Sequence, residues 1–491
     1  MRCFKNIFIL LLCSATSFCF AQKEDRNWVF GDSIRIDFNN LSNPTYHQAD
    51  CFNNESNASI SNRNGNLLMY LKTQDYWAGE YKYCQIMNKQ NNVMQNGDSI
   101  SHYYSASNGA LFLPMPDDSN KYYFFSVANN LAQGNFLSYS IIDKSLNSGL
   151  GAVVSKNNYL ENLILESICA IRHADGRDWW IITHQRYSNL FMKYLITPSG
   201  ISSPLNQMIG TNFSAYEGEC AASSDGSKIC WISTDGNLDL FDFDRCSGEL
   251  NNWTELGAPP YQSSTHPIYG CEFSPDSKRL YVSKTFGSPY LTNIFQYSIN
   301  SNPISDSKTD ILAPTQGFLL FQMELGPDNK IYISGSGPTG GLNDSSFKFL
   351  SVIETPNDSG PACNLNLFSL FLHNTYTMLG LPNMPHYSLS ALDGSACDTL
   401  GIDAPNNIQV IRKSILNIYP NPATNELTIE ILNGIAPKQI EITNSLGVTV
   451  MQLHQTKPNQ QLNIRQLAAG VYFVKVKMQD GSVTVRKFIK L

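Results

Sequence analysis

Several signatures that would name a function outright are missing from this chain. Downstream of residue 21 no basic cluster exceeds a dipeptide, and the formal net charge is −7. A nucleic-acid binder needs a positive stripe, so that class is excluded. No C-x-x-C pair and no Cys/His spacing typical of a metal site occurs, and neither G-x-S-x-G nor H-E-x-x-H is found. No cofactor is therefore expected. Charged residues make up only 15%, and long runs of helix formers are lacking. What is present instead is aromatic: 24 Tyr and 26 Phe. Aromatic and β-branched side chains fit pleated, packed sheets, so the composition predicts an all-β protein.

The one strongly apolar run is at the N-terminus. Arg2 and Lys5 precede Ile7 to Leu12, and Cys19-Phe20-Ala21 forms a small-x-small cleavage site before Gln22. Residues 1–21 are expected to be a signal peptide. The run is too short to span a bilayer as a mature helix, and no other stretch approaches that length, so no transmembrane segment is expected. Leu12 and Phe18 stand before Cys13 and Cys19, where lipidation requires a small residue. Cleavage leaves nine cysteines, an odd number, on an export route that permits disulfides. Cys363 and Cys397 are the expected pair: they bracket the end of the repeat region, and a loop of that length is worth about 3–4 kcal/mol in the chain-entropy model. Cys220 and Cys271, each five residues before a repeat turn, are the second choice.

The main signal is a repeat. A tight turn followed by a strongly apolar strand recurs six times, with turns at 64, 118, 175, 225, 276 and 328. Lys121 to Ser126, Trp179 to His184, Lys228 to Ser233 and Lys330 to Ser334 are examples of the strands. Strands that are apolar on both faces belong between two neighbouring sheets, as in radially stacked blades, and a period near 50 fits four strands per blade. Residues 26–392 hold about seven such periods. A seventh blade is expected to combine Met384 to Leu389 with Asn27 to Gly31 and so close the ring.

Asn27-Trp28-Val29-Phe30-Gly31, Asp178-Trp179-Trp180-Ile181-Ile182, Phe273-Ser274-Pro275-Asp276, Gly326-Pro327-Asp328-Asn329-Lys330 and Gly380-Leu381-Pro382-Asn383 together carry a resemblance. They resemble, in colinear order, the WD-like β-propeller module of secreted gliding-associated or adhesin-type bacterial surface proteins. The resemblance implies a propeller and leaves activity open. The chain departs from the pattern where Ser277 and Asn329 replace a turn glycine, and where a longer connection, about Lys72 to Tyr83, holds Tyr76 and Trp77.

Residues 393–413 read as a linker. Beyond them, Tyr419-Pro420-Asn421-Pro422, Gly470-Val471-Tyr472 and the final Lys487 to Leu491 resemble the C-terminal sorting domain of the type IX secretion system. Short alternating strands predict a small Ig-like β-sandwich over 414–491. The resemblance implies recognition by the type IX machinery and delivery outside the cell or onto the outer-membrane surface.

Candidate sites are few. Glu166, Glu217, Glu219, Glu272 and Glu324 all precede repeat turns and are expected to line the central channel, where a carboxylate ring holds a cation or a sugar or simply forms a solvated wall. Tyr76 and Trp77 form a candidate partner-binding loop, set against self-packing of the loop. Gly335 to Gly340 spells G-x-G-x-x-G without the helix a dinucleotide requires. Asp235, Asn237 and Asp239 open like a calcium loop but lack its later ligands. His173 and His184 flank Trp179 and Trp180 with no catalytic partner nearby in sequence. The resulting expectation is a secreted binding or adhesion propeller that takes a glycan or surface-protein ligand. A structural subunit of a surface or gliding apparatus is one alternative, and a glycan lyase or hydrolase working at the channel mouth is the other.

Overall fold

In a computed structural model, the described residues are 22–73, 83–130, 134–257, 268–286, 291–336, 345–373, 375–398, 416–431, 436–444, 448–454, 456–478 and 483–491. They divide into two compact units, 22–398 and 416–491. Seven antiparallel sheets build the first unit. The first sheet holds Asn27–Phe30, Asp32–Asp37 and Thr45–Phe52. The second starts with the inner strand Ser59–Ser61, the third with Ala110–Pro114, the fourth with Cys169–Arg172, the fifth with Cys220–Ala222, the sixth with Ile268–Phe273 and the seventh with Leu319–Leu325. In sheets two, three, five, six and seven each strand pairs with the next in sequence, so each is a meander running outward from its inner strand; in the fourth, Gly200–Ile201 and Leu205–Phe213 both pair with Ser188–Thr197. This is a propeller-like arrangement.

The apolar strands do what their two-sided hydrophobicity requires. All six residues of Trp179–His184 are buried. Trp179 and Ile181 join the core shared with the third sheet, while Trp180 and Ile182 join the core shared with the fifth. The Trp180 indole donates to the Arg245 carbonyl across that second interface, at 2.9 Å. Burying a large aromatic on each side ties each sheet to both neighbours.

The first and last sheets of this unit meet. Trp28 packs edge-on against Tyr332 of the seventh sheet at 5.4 Å, and the Ser59 hydroxyl of the second sheet donates to the Asn27 carbonyl at 2.7 Å. The first sheet thus lies between the last and the second. The expected closing strand over 384–389 is not formed. Residues 380 and 383 instead donate backbone N–H groups to Asn54 and Asn57, and the following residues cross the inner ends of other sheets. The Asn383 amide donates to the carbonyls of Asn108 and Ile168, and the Tyr387 hydroxyl to that of Phe112. Pro382 and Pro385 within this stretch withhold N–H groups that a strand ladder needs.

Ser277 and Asn329, which replace turn glycines, adopt left-handed backbones with φ of 58° and 64°. Serine pays steric strain there that glycine does not. Ser277→Gly is expected to raise the unfolding free energy by about 0.5–1 kcal/mol in a urea melt, and Asn329→Gly by less, because asparagine tolerates this region. A loss of stability in Ser277→Gly would show instead that its hydroxyl, which accepts the Asp225 N–H at 3.2 Å, matters more than the strain.

In the second unit, Leu416–Tyr419, Glu426–Ile431 and Asn459–Asn463 form one sheet. Thr449–Leu453, Gln439–Asn444, Gly470–Lys477 and Val483–Lys490 form another. Leu427, Ile429, Ile442, Val474 and Phe488 from both sheets fill a single core.

Candidate functional site

Four of the five channel carboxylates are not a solvated wall. Glu166, Glu219, Glu272 and Glu324 are buried, and only Glu217 is exposed. Burial forces each to find donors: Glu166, Glu219 and Glu272 find backbone N–H groups of neighbouring sheets, and Glu324 finds that of Met384. One oxygen of Glu219 accepts from Cys271 at 2.9 Å and Met323 at 3.2 Å, linking the fifth, sixth and seventh sheets. Glu272 accepts from Leu325 at 3.0 Å. Desolvation raises all four carboxyls above the ordinary carboxylate range, Glu272 to about 8. The centre of the ring is filled by Asn383 to His386. The cavity left beside them, bordered by Asn108, Cys220, Glu272 and Glu324, measures about 30 Å³. That is room for one or two waters and excludes a sugar.

A different cluster gathers where the inner strands begin. Glu55, Ser105, Ser107 and Glu166 precede three successive inner strands, and Tyr269 opens a fourth. The Ser105 hydroxyl donates to Glu55 at 2.7 Å, and the Tyr269 hydroxyl also donates to Glu55. The Ser107 hydroxyl lies 3.3 Å from Glu55 and 3.4 Å from Glu166, and its N–H donates to Glu166 at 3.1 Å. Burial first, and then charge repulsion from neighbouring glutamates, raises both carboxyls. Burial beside Glu55 pushes the Tyr269 phenol well up, so it remains a donor. The Ser107 hydroxyl thus bridges two carboxyls whose affinity for protons is raised. Tyr103, itself pushed up to about 12 by burial, and the exposed Glu217 face the same cluster. Glu55 was not among the sequence candidates. The signal was available: it stands nine residues before Asn64, as Glu166 stands nine before Asp175.

Tyr76 and Trp77 lie outside the described residues. The residues flanking that connection, Thr73 and Tyr83, are at the same end of their sheet as the start of Ser59–Ser61. Most of the G-x-G-x-x-G stretch, from Gly337 onward, is likewise outside the described residues. Asp235 accepts N–H groups from Ser214 and Ala215, and Asp239 accepts from Thr211, so both are used in holding the fourth sheet to the fifth. Among the described residues no group of three or more His, Cys, Asp or Glu is placed to hold a metal. His184 is stacked on Phe213 in the core and pushed down to about 4 by burial, while His173 sits 3.1 Å from Asp175.

The expected Cys363–Cys397 disulfide is not formed. Cys397 is bonded to Cys246 with Cα atoms 5.5 Å apart, and Cys363 is a buried thiol. The cause is the path of the segment after residue 384. Arg245 donates to the Ser390 carbonyl and Leu392 to that of Ala174, so the chain is carried to the fourth and fifth sheets, away from Cys363. Cys220 and Cys271 are also buried thiols and do not pair; their sulfur neighbours are Cys169 and Cys230 respectively.

The first unit is thus a propeller-like ring, and the second unit can be compared with known sequences. Residues 417–491 match the family described as the secretion system C-terminal sorting domain. That tail marks the chain as a protein exported by the type IX system, to the cell surface or beyond. No curated protein matches the sequence. Among solved structures, a protein from Lactobacillus plantarum is similar at 12% identity and a TM-score of 0.45, over 73% of this chain and 98% of that one. A putative 6-phosphogluconolactonase from Bacteroides fragilis is similar at 11% identity and a TM-score of 0.45, with the same shares covered. A β-propeller domain from Myceliophteria thermophila is similar at 9% identity and a TM-score of 0.38, over 65% of this chain and 95% of that one.

Proposed function

We propose that this protein is a non-catalytic binding or adhesion module, displayed at the cell surface by type IX secretion, whose ligand face is the end of the ring where the inner strands begin. In this reading the seven sheets are the seven blades of a closed propeller. Residues 1–21 are a cleaved signal peptide, 393–413 a linker, and the tail an Ig-like sandwich read by the secretion machinery. The observation that carries the proposal is the fate of the carboxylates. Glu219, Glu272 and Glu324 spend their oxygens on backbone N–H groups, and chain fills the centre, so recognition is left to the outer mouth. Tyr103, Tyr187, Tyr216 and Arg186 stand there, and rings with polar tips suit a glycan or a surface-protein partner.

A glycan array probed with residues 22–491 is expected to give discrete binding without turnover. One observation favours a second reading, a glycan hydrolase or lyase: the carboxyl pair Glu55 and Glu166 around the Ser107 hydroxyl. Release of reducing ends from a bound glycan, abolished in Glu55→Gln, would replace the binding reading with that one.

A further inference from the structure

The connection between Trp179–His184 and Ser188–Thr197 is a hairpin tip of Gln185, Arg186 and Tyr187. Such a tip needs a left-handed residue, and glycine or asparagine is the undemanding choice. Tyrosine holds that position here, with φ of 58°, and the residue is 68% exposed. A bulky side chain in this region is sterically strained. The ring is covered on one side by Arg186 and is otherwise largely open to solvent. Backbone bonds fix the tip: Arg186 donates to Leu163 and Tyr187 to Phe213, both at 2.7 Å.

Arg186 is held between two rings. Its guanidinium carbon lies 3.3 Å from the centre of Tyr216 and 4.3 Å from that of Tyr187. Its Nε donates to the Ser214 carbonyl at 2.6 Å. Among the described residues its two terminal nitrogens have no hydrogen-bond partner and no carboxylate within ion-pair distance. The neighbouring Glu217 accepts from Thr234 at 3.1 Å, on the fifth-sheet side. A stacked, planar guanidinium whose fork is unused among the described residues is the arrangement that recognises a carboxylate. Beside it, an exposed tyrosine face is a platform for the apolar side of a sugar ring.

We infer that Arg186, Tyr187 and Tyr216 form a binding site for a carboxylate-bearing sugar, the fork taking the carboxylate and Tyr187 the ring. This inference rests on the binding reading above and specifies its ligand class. Titration calorimetry of residues 22–491 with a galacturonic acid tetrasaccharide, and with a galactose tetrasaccharide for comparison, tests it. The acidic sugar is expected to bind at least about tenfold more tightly, the equivalent of one charge-assisted hydrogen bond. Its affinity is expected to fall as salt rises. Arg186→Gln removes the preference for the acid. Tyr187→Asn weakens both sugars while melting at the same temperature or higher, an outcome that a merely structural tyrosine would not give. Absence of binding to the acidic sugar, or binding unchanged in both variants, overturns the site. If a glycan array still shows other sugars bound, only this site falls; a silent array removes the binding reading as well.

Discussion

A chain ending at residue 413 is expected to fold its first unit and accumulate in the periplasm, with surface-exposed protein reduced to background. The two units carry separate cores: Leu427, Ile429, Ile442, Val474 and Phe488 pack with one another within the tail. The buried clusters of the propeller-like ring are built from its own residues. Within the tail the last strand is indispensable. Val483–Lys490 pairs residue by residue with Gly470–Lys477, the Ala423 N–H donates to the Ile489 carbonyl, and the Leu491 N–H donates to the Ala423 carbonyl. Phe488 is fully buried, so Phe488→Ala removes about 3–5 kcal/mol from a domain too small to spare it. It is expected to block export as the truncation does. Fractionation followed by protease accessibility on whole cells checks both variants; normal surface delivery of the truncated chain would contradict the role given to residues 417–491.

Replacing Glu219 by alanine is expected to destabilise the first unit by about 3–5 kcal/mol, and by glutamine by about 1 kcal/mol or less. Alanine leaves the N–H groups of Cys271 and Met323 buried without an acceptor, each worth about 1–3 kcal/mol, whereas glutamine keeps an oxygen in place. A pH dependence follows from the same chemistry. The folded-state affinities of Glu219, Glu272 and Glu324 for protons are raised, mainly by desolvation. The folded protein then binds more protons than the unfolded chain, and this stability is complete below the unfolded pKa and is lost as pH rises through the folded one. His102 and His184, lowered to about 3 and about 4 by burial, act in the opposite sense but only below about pH 6.5. Between about pH 6.5 and 8 the carboxyls dominate, and Glu272 alone is worth on the order of 2 kcal/mol. Chemical denaturation across that window is expected to show stability falling with pH and the slope shrinking in Glu272→Gln. A flat or rising profile would mean that these carboxyls are ionised in place.

The repeat was legible because each turn and apolar strand is a local pattern. Trp179 to Ile182, apolar on both faces, announced a strand between two sheets, and both sheets are there. The departures all depend on long-range placement. The carboxylates near the turns were recognisable as inner-strand residues, but nothing local distinguishes a carboxylate that accepts the next sheet's N–H from one facing water. The Cys246–Cys397 pair depends on the path of residues 384–392 across the ring, which only the assembled sheets determine. Glu55 stands at the same offset from its turn as Glu166, but its partner Tyr269 comes from a sheet more than two hundred residues away, so the cluster has no local signature. Tyr187 was invisible for a simpler reason: its significance is a backbone conformation and an exposure, and neither is written in the residue type.

The location of the ligand face is tested most directly by hydrogen–deuterium exchange of residues 22–491 with and without a saturating glycan from the array. Slower exchange is predicted over residues 103–107, 185–187 and 214–217 and at Tyr269, all at the end where the inner strands begin. Slower exchange confined to the opposite turns, 175–178, 225–228, 276–279 and 328–330, would place the ligand at the wrong end and contradict the account.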